Sequence, residues 1–173
     1  MKNMCFLPGR AGRMAVALTA VAVFSAGGIR AQNAREVARE ARIRNLVDTL
    51  QSYSFSAQTA FPLGGHTRPL TLDYYSLEVS KDTLTAHLPY FGRAFVAPAD
   101  PSQAGVNFTS TKFTYNAKPG KKGGWQMVIS PTDASDVQKM FLTISEDGYA
   151  TLQLTFVNRE SISYNGYITR RRR

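Results

Sequence analysis

Two histidines, twelve acids and one aromatic corner are where this 173-residue chain could do chemistry. His66 sits in the loop GGHTRP, and His87 alternates with Thr83 and Thr85 on the face opposite Leu84, Ala86 and Leu88. Neither HxH nor HExxH spacing occurs, so no metal site is expected, since a metal needs several such ligands to converge. A serine triad is not expected either, because there is no GxSxG elbow. Asp73, Glu78 and Asp82 could supply the paired carboxylates of glycoside hydrolysis, but any β-protein with twelve acids offers such a pair. Lys118 to Gly124 mixes lysine and glycine without the GxxxxGK[ST] order of a phosphate loop, and reads as a hairpin tip. No catalytic residue and no cofactor is assigned.

LPYFGRAF, residues 88 to 95, is the remaining candidate. It has two readings. In one, Pro89 ends a strand by removing a ladder donor, Gly92 permits the reversal, and Tyr90 or Phe91 tucks under the corner. In the other, Tyr90 and Phe91 line the mouth of a ligand site with Arg93 at its rim, joined by Trp125 after a flexible Gly-Gly. That set suits an apolar or aromatic ligand carrying an anionic group.

The elements that position these residues start after an export leader. Lys2, Arg10 and Arg13 form a positive n-region and Met14 to Ala26 an apolar h-region, shorter than the roughly 20 residues of a membrane-crossing helix. No transmembrane anchor is expected, and cleavage is expected after Ala31, giving a periplasmic or extracellular protein. Cys5 leaves with the leader, so the mature fold has no disulfide and no thiolate ligand. The leader also carries four positive charges, which lowers the net charge from +9 to +5; four of the remainder are Arg170 to Arg173. The body holds 13 Lys/Arg against 12 Asp/Glu, too balanced for a nucleic-acid surface.

Residues 32–52 are expected as a helix over Asn33 to Gln51, with Ile43, Leu46, Val47 and Leu50 as its apolar stripe and a charged first half that projects or frays. From 53 to 169 the period becomes two. About eight strands with short links predict a mainly β domain: an antiparallel meander curling into a barrel, with a two-sheet sandwich as the alternative. Residues 170–173 read as a basic, solvated tail. Phase slips at Tyr74-Tyr75 and before Phe113 suggest bulges or strands covered on both faces. Glu146-Asp147-Gly148 predicts a type I′ hairpin, and Asn158-Arg159 a tight turn, completing a three-stranded meander.

LPYFGRAF, ISEDGYATLQL and NRESISYNGYI, in that order, resemble a family of small exported Bacteroidota proteins described as a domain of unknown function (number 4251). The resemblance implies an exported single domain and brings no catalytic residue. The residues themselves favour a non-catalytic binding or interaction module for a small ligand or an envelope protein. The alternative is a carboxylate-based hydrolase acting on envelope or dietary glycan.

Overall fold

The computed structural model describes residues 23–171 apart from 50, 72–73, 97–104, 122 and 135. The n-region and most of the h-region of the expected leader, together with Leu50, Leu72 and Asp73, fall outside the described residues. Helix α1 (Val23–Arg44) opens the described chain and continues as a π-helical turn, Asn45–Thr49. By its contacts the chain divides at Glu36, and everything below concerns the unit from Val37 to Arg173. In that unit Ile43, Leu46 and Val47 are buried, as the stripe predicts, while the rest of the helix surface is largely exposed. Among the described residues no helix is long and apolar enough to cross a membrane.

Among the described residues ten strands follow: β1 (Tyr53–Pro62), β2 (Arg68–Pro69), β3 (Ser76–Val79), β4 (Leu84–Leu88), β5 (Val106–Ser110), β6 (Phe113–Pro119), β7 (Trp125–Pro131), β8 (Val137–Ile144), β9 (Tyr149–Phe156) and β10 (Ile162–Arg170). Every ladder is antiparallel, in the order β5-β4-β3-β1-β10-β9-β8-β7-β6, with the two-residue β2 paired beside β3 on β1. This is the expected nearly closed, barrel-like sheet.

How it closes follows from the register. Val106 opposes Leu88 at the end of β4, and Phe113 opposes Pro131 at the end of β7, so β5 and β6 run in the same direction. They are one strand bent at Thr111-Lys112, whose first half pairs with β4 and whose second half pairs with β7. Counted so, the barrel has eight staves. The bend is where Val106 and Ser110 give up the buried face to odd-numbered residues, which accounts for the phase slip before Phe113. Asp133 clamps the bend: its carboxylate accepts the Ser110 hydroxyl and the Thr111 and Lys112 amides, the latter two at 3.0 and 3.2 Å. Those contacts, the serine first, hold the Asp133 carboxyl below the usual carboxylate range.

Other expectations are corrected in detail. The slip at Tyr74-Tyr75 is a break between β2 and β3, with Tyr74 in a turn. The bulges lie elsewhere, between Ala57 and Thr59 on β1 and between Val137 and Lys139 on β8. The first flips the buried face from Tyr53, Phe55 and Ala57 to Ala60 and Pro62. A strand thereby survives a change of parity that sequence alternation reads as its end. Opposite that bulge, a Cβ on Gly166 would lie 1.9 Å from the Ser56 carbonyl oxygen, so glycine alone lets β10 approach β1 there. At 145–148 only Gly148 has positive φ, which makes a type I turn with a glycine bulge in place of type I′. The 157–161 link is a wider loop bridged to Ala94. Arg170 belongs to β10, and Arg171 pairs with Glu78 at 3.0 Å; the last two arginines of the expected tail lie outside the described residues.

The inner faces interdigitate across the barrel. Met127, Met140, Leu142, Leu152 and Tyr164 are fully buried alongside Phe55, Leu77 and Leu84. Each such side chain contributes roughly 1.5–3 kcal/mol of burial. The interior is thus a packed core. The buried helix stripe covers the end where β1, β7 and β9 begin: Tyr115 donates to the Val47 carbonyl at 3.3 Å, and Glu40 lies against Gly123 in the β6–β7 turn.

Candidate functional site

The opposite end is built around LPYFGRAF. After β4, the Pro89 carbonyl accepts the Tyr164 hydroxyl at 2.7 Å, which ties the strand exit to the core. Tyr90 then turns inward, its ring edge-on to Phe156 at 5.4 Å. Its hydroxyl lies 2.8 Å from the Arg93 carbonyl and 2.9 Å from that of Glu160, one proton serving two acceptors. Burial, then the Glu160 carboxylate, pushes the Tyr90 phenol up, so it stays a donor at neutral pH. Burial likewise raises Tyr164.

Gly92 makes this fold-under possible, because a Cβ there would lie 2.4 Å from the Tyr90 hydroxyl. Beyond it the chain runs antiparallel to the β9–β10 loop: Glu160 N–H donates to the Arg93 carbonyl at 2.9 Å, and Phe95 N–H to that of Asn158 at 2.8 Å. The Glu160 carboxylate accepts the Arg93 amide at 3.3 Å. The corner is stapled by main-chain bonds.

Beneath the staple lies Arg159. Its guanidinium stands 5.3 Å from the Tyr90 ring and 5.9 Å from Phe156, pairs with Asp136 at 2.6 Å, and donates to the Gly105 carbonyl at 3.1 Å. Side-chain exposures of 13% and 25% make this a sheltered ion pair, which holds geometry more than it adds stability. Beside it opens a cleft of about 250 Å³, walled by Gly105 to Phe108 along the β5 edge, by Ala134 and Asp136 ahead of β8 with Val137 at its start, and by Phe156. It is the upper part of the seam, where the first half of the bent strand faces the β7–β8 link.

The four predicted site residues separate. Tyr90 is the bracket under the corner. Phe91 is exposed, with the Arg68 guanidinium 5.0 Å from its ring, and Arg93 is also exposed. Trp125 is buried at the helix-covered end, opposing Ile144, and does not meet the other three. Arg159, Asp136 and Phe156 were not singled out by sequence; their signal was Arg159 in NRESISYNGYI, within the same resemblance as the corner. Glu78 is tied to Arg171, Asp82 lies in the β3–β4 turn, and among the described residues no three His, Cys, Asp or Glu side chains gather as a metal site would require.

Comparison with known proteins agrees with this architecture. A crystal structure of a DUF4251 family protein from Bacteroides eggerthii superimposes with a TM-score of 0.54 at 16% identity, covering 78% of this chain and 91% of that one. At that identity the likeness speaks for the fold. No curated protein matches. The family model for the domain of unknown function DUF4251 matches residues 34–168, which takes in the helix stripe, the corner and the meander, and the chain belongs to that family.

Proposed function

We propose that the chain is an exported, non-catalytic binding module that takes a small ligand, or one side chain of a protein partner, in the seam cleft beside Arg159. The carrying observation is that the barrel interior is filled by side chains while the seam holds a polar-and-aromatic cleft. At about 250 Å³ the cleft falls just below the ~300–1,000 Å³ of drug-sized sites, which favours a fragment-sized group. Phe108 and Phe156 suit an apolar body. Because Asp136 already matches the charge of Arg159, the favoured polar end both donates and accepts hydrogen bonds, a narrower class than a bare anion. Export is supported by the leader's composition and by a family match that begins at residue 34, just past the expected cleavage point.

The test is an amide NMR titration with small aromatic alcohols and amides. Saturable shifts at Val106, Phe108 and Val137, abolished by Ala134→Phe with the fold intact, support the reading. Shifts scattered over the surface, or unaffected by Ala134→Phe, refute it.

A further inference from the structure

The barrel's outer surface carries a groove formed by residues that alternate away from the core. Register places Tyr149, Tyr167, Ser56, Ser76 and His87 in one row across β9, β10, β1, β3 and β4. The next row runs Thr169, Ser54 and Glu78. Four strand spacings separate Tyr149 from His87, roughly 19 Å.

The row has two aromatic banks. On one side Tyr149 and Tyr167 are 68% and 36% exposed. On the other, Tyr74 is 54% exposed and lies 4.6 Å from the Tyr75 ring and 5.4 Å from His87, with Tyr75 and His87 stacked at 6.1 Å. Between the banks Ser54, Ser56 and Ser76 make a low floor, and the groove of about 480 Å³ over it is lined on its two sides by Tyr167 and Tyr74.

We propose that this trough binds a neutral oligosaccharide. Sugar rings present apolar faces edged by hydroxyls that both donate and accept, and tyrosine offers a flat apolar face with a polar tip. Serine and threonine hydroxyls rotate to serve either role. The Ser76 hydroxyl already donates to the Tyr74 carbonyl at 3.5 Å, but an apolar partner would bury the Ser54 and Ser56 hydroxyls without bonds, a cost of about 1–3 kcal/mol for each group. A polyanion is not matched among the described residues, where Glu78 and Arg171 pair at 3.0 Å and Arg170 is the remaining charge lining the groove. The site lies outside the seam cleft and does not depend on it.

The experiment titrates the full chain with maltohexaose, cellohexaose, chitohexaose and, separately, heparin, followed by amide NMR. One neutral hexasaccharide shifts Ser54, Ser56, Ser76 and Thr169 saturably, and the Tyr74→Ala/Tyr167→Ala pair weakens it by about tenfold or more, the loss of two stacking contacts. Its thermal midpoint stays within about 2 °C of the parent, as exposed positions allow. Ser56→Gln, which fills the floor and leaves both tyrosines, abolishes the same shifts and serves if the pair fails to fold. Binding to heparin alone, no saturable shift with any of the three sugars, or unchanged affinity in the folded variants overturns the proposal.

Discussion

Gly92 and Tyr90 form a coupled pair whose energy can be worked from the corner's geometry. A methyl at residue 92 would lie 2.4 Å from the Tyr90 hydroxyl and 2.7 Å from its Cζ, so Gly92→Ala forces the ring out from under the staple. Gly92 does not lie at positive φ, so alanine meets no backbone strain of its own. Expelling the ring forfeits one net hydrogen bond to the Arg93 or Glu160 carbonyl, about 1 kcal/mol, and the edge-on contact with Phe156, about another 1 kcal/mol. Gly92→Ala therefore costs about 2 kcal/mol in the parent. In a Tyr90→Ala background the clash is gone, and the same change becomes neutral or stabilising by about 0.5 kcal/mol through reduced freedom of the unfolded chain. The coupling energy is about 2 kcal/mol, read from a double-mutant cycle in urea. Additivity within about 0.5 kcal/mol would refute the reading of Tyr90 as a plug that needs Gly92.

Gly166→Ala drives a Cβ into the Ser56 carbonyl and Ala57 Cα, both main chain, and should cost about 3 kcal/mol or more in urea unfolding, since strands and not side chains must yield. Asp133→Asn should speed hydrogen exchange at the Thr111 and Lys112 amides while core amides of β9 keep their protection. Because the folded Asp133 carboxyl sits below its unfolded value of about 3.9, its contribution is complete above that pH and is lost as pH falls through the folded value; acid titration of wild type against the variant reads the difference. Tyr53, Tyr90 and Tyr164 are all raised, chiefly by burial, so their stabilisation is complete below the unfolded phenol value of about 10 and drains away as pH climbs beyond it. A urea midpoint unchanged between pH 9 and pH 12 would contradict those burials.

Periodicity made much of this fold readable. Met140, Leu142 and Ile144 against Ala150, Leu152 and Leu154 state both strands and their facing sides, and Gly148 marks the turn between them. The stripe of Ile43, Leu46 and Val47 names the helix face for the same reason. Where alternation broke, local pattern could not say why: one slip was a bend shared by two ladders, the other a gap between strands, and the bulge at Gln58 was hidden in a polar stretch. Each depends on which strand lies alongside, a long-range fact. The site was legible only as a corner. Tyr90 and Gly92 announce a reversal, but the ion pair of Arg159 with Asp136 joins two loops that no spacing rule connects. Trp125 shows the converse, since an aromatic after Gly-Gly looks like a rim residue until its ladder places it in the core at the far end.

The claim at the centre of this account is that the chain holds a ligand and leaves it unchanged. Native mass spectrometry of the protein purified from the organism that makes it, followed by identification of what is released on unfolding, tests that most directly. The account predicts one small adduct per chain, retained by wild type, lost in Ala134→Phe and recovered chemically intact. A chain that carries neither a small adduct nor a co-purifying protein, or one that converts the released compound when it is added back, would contradict it.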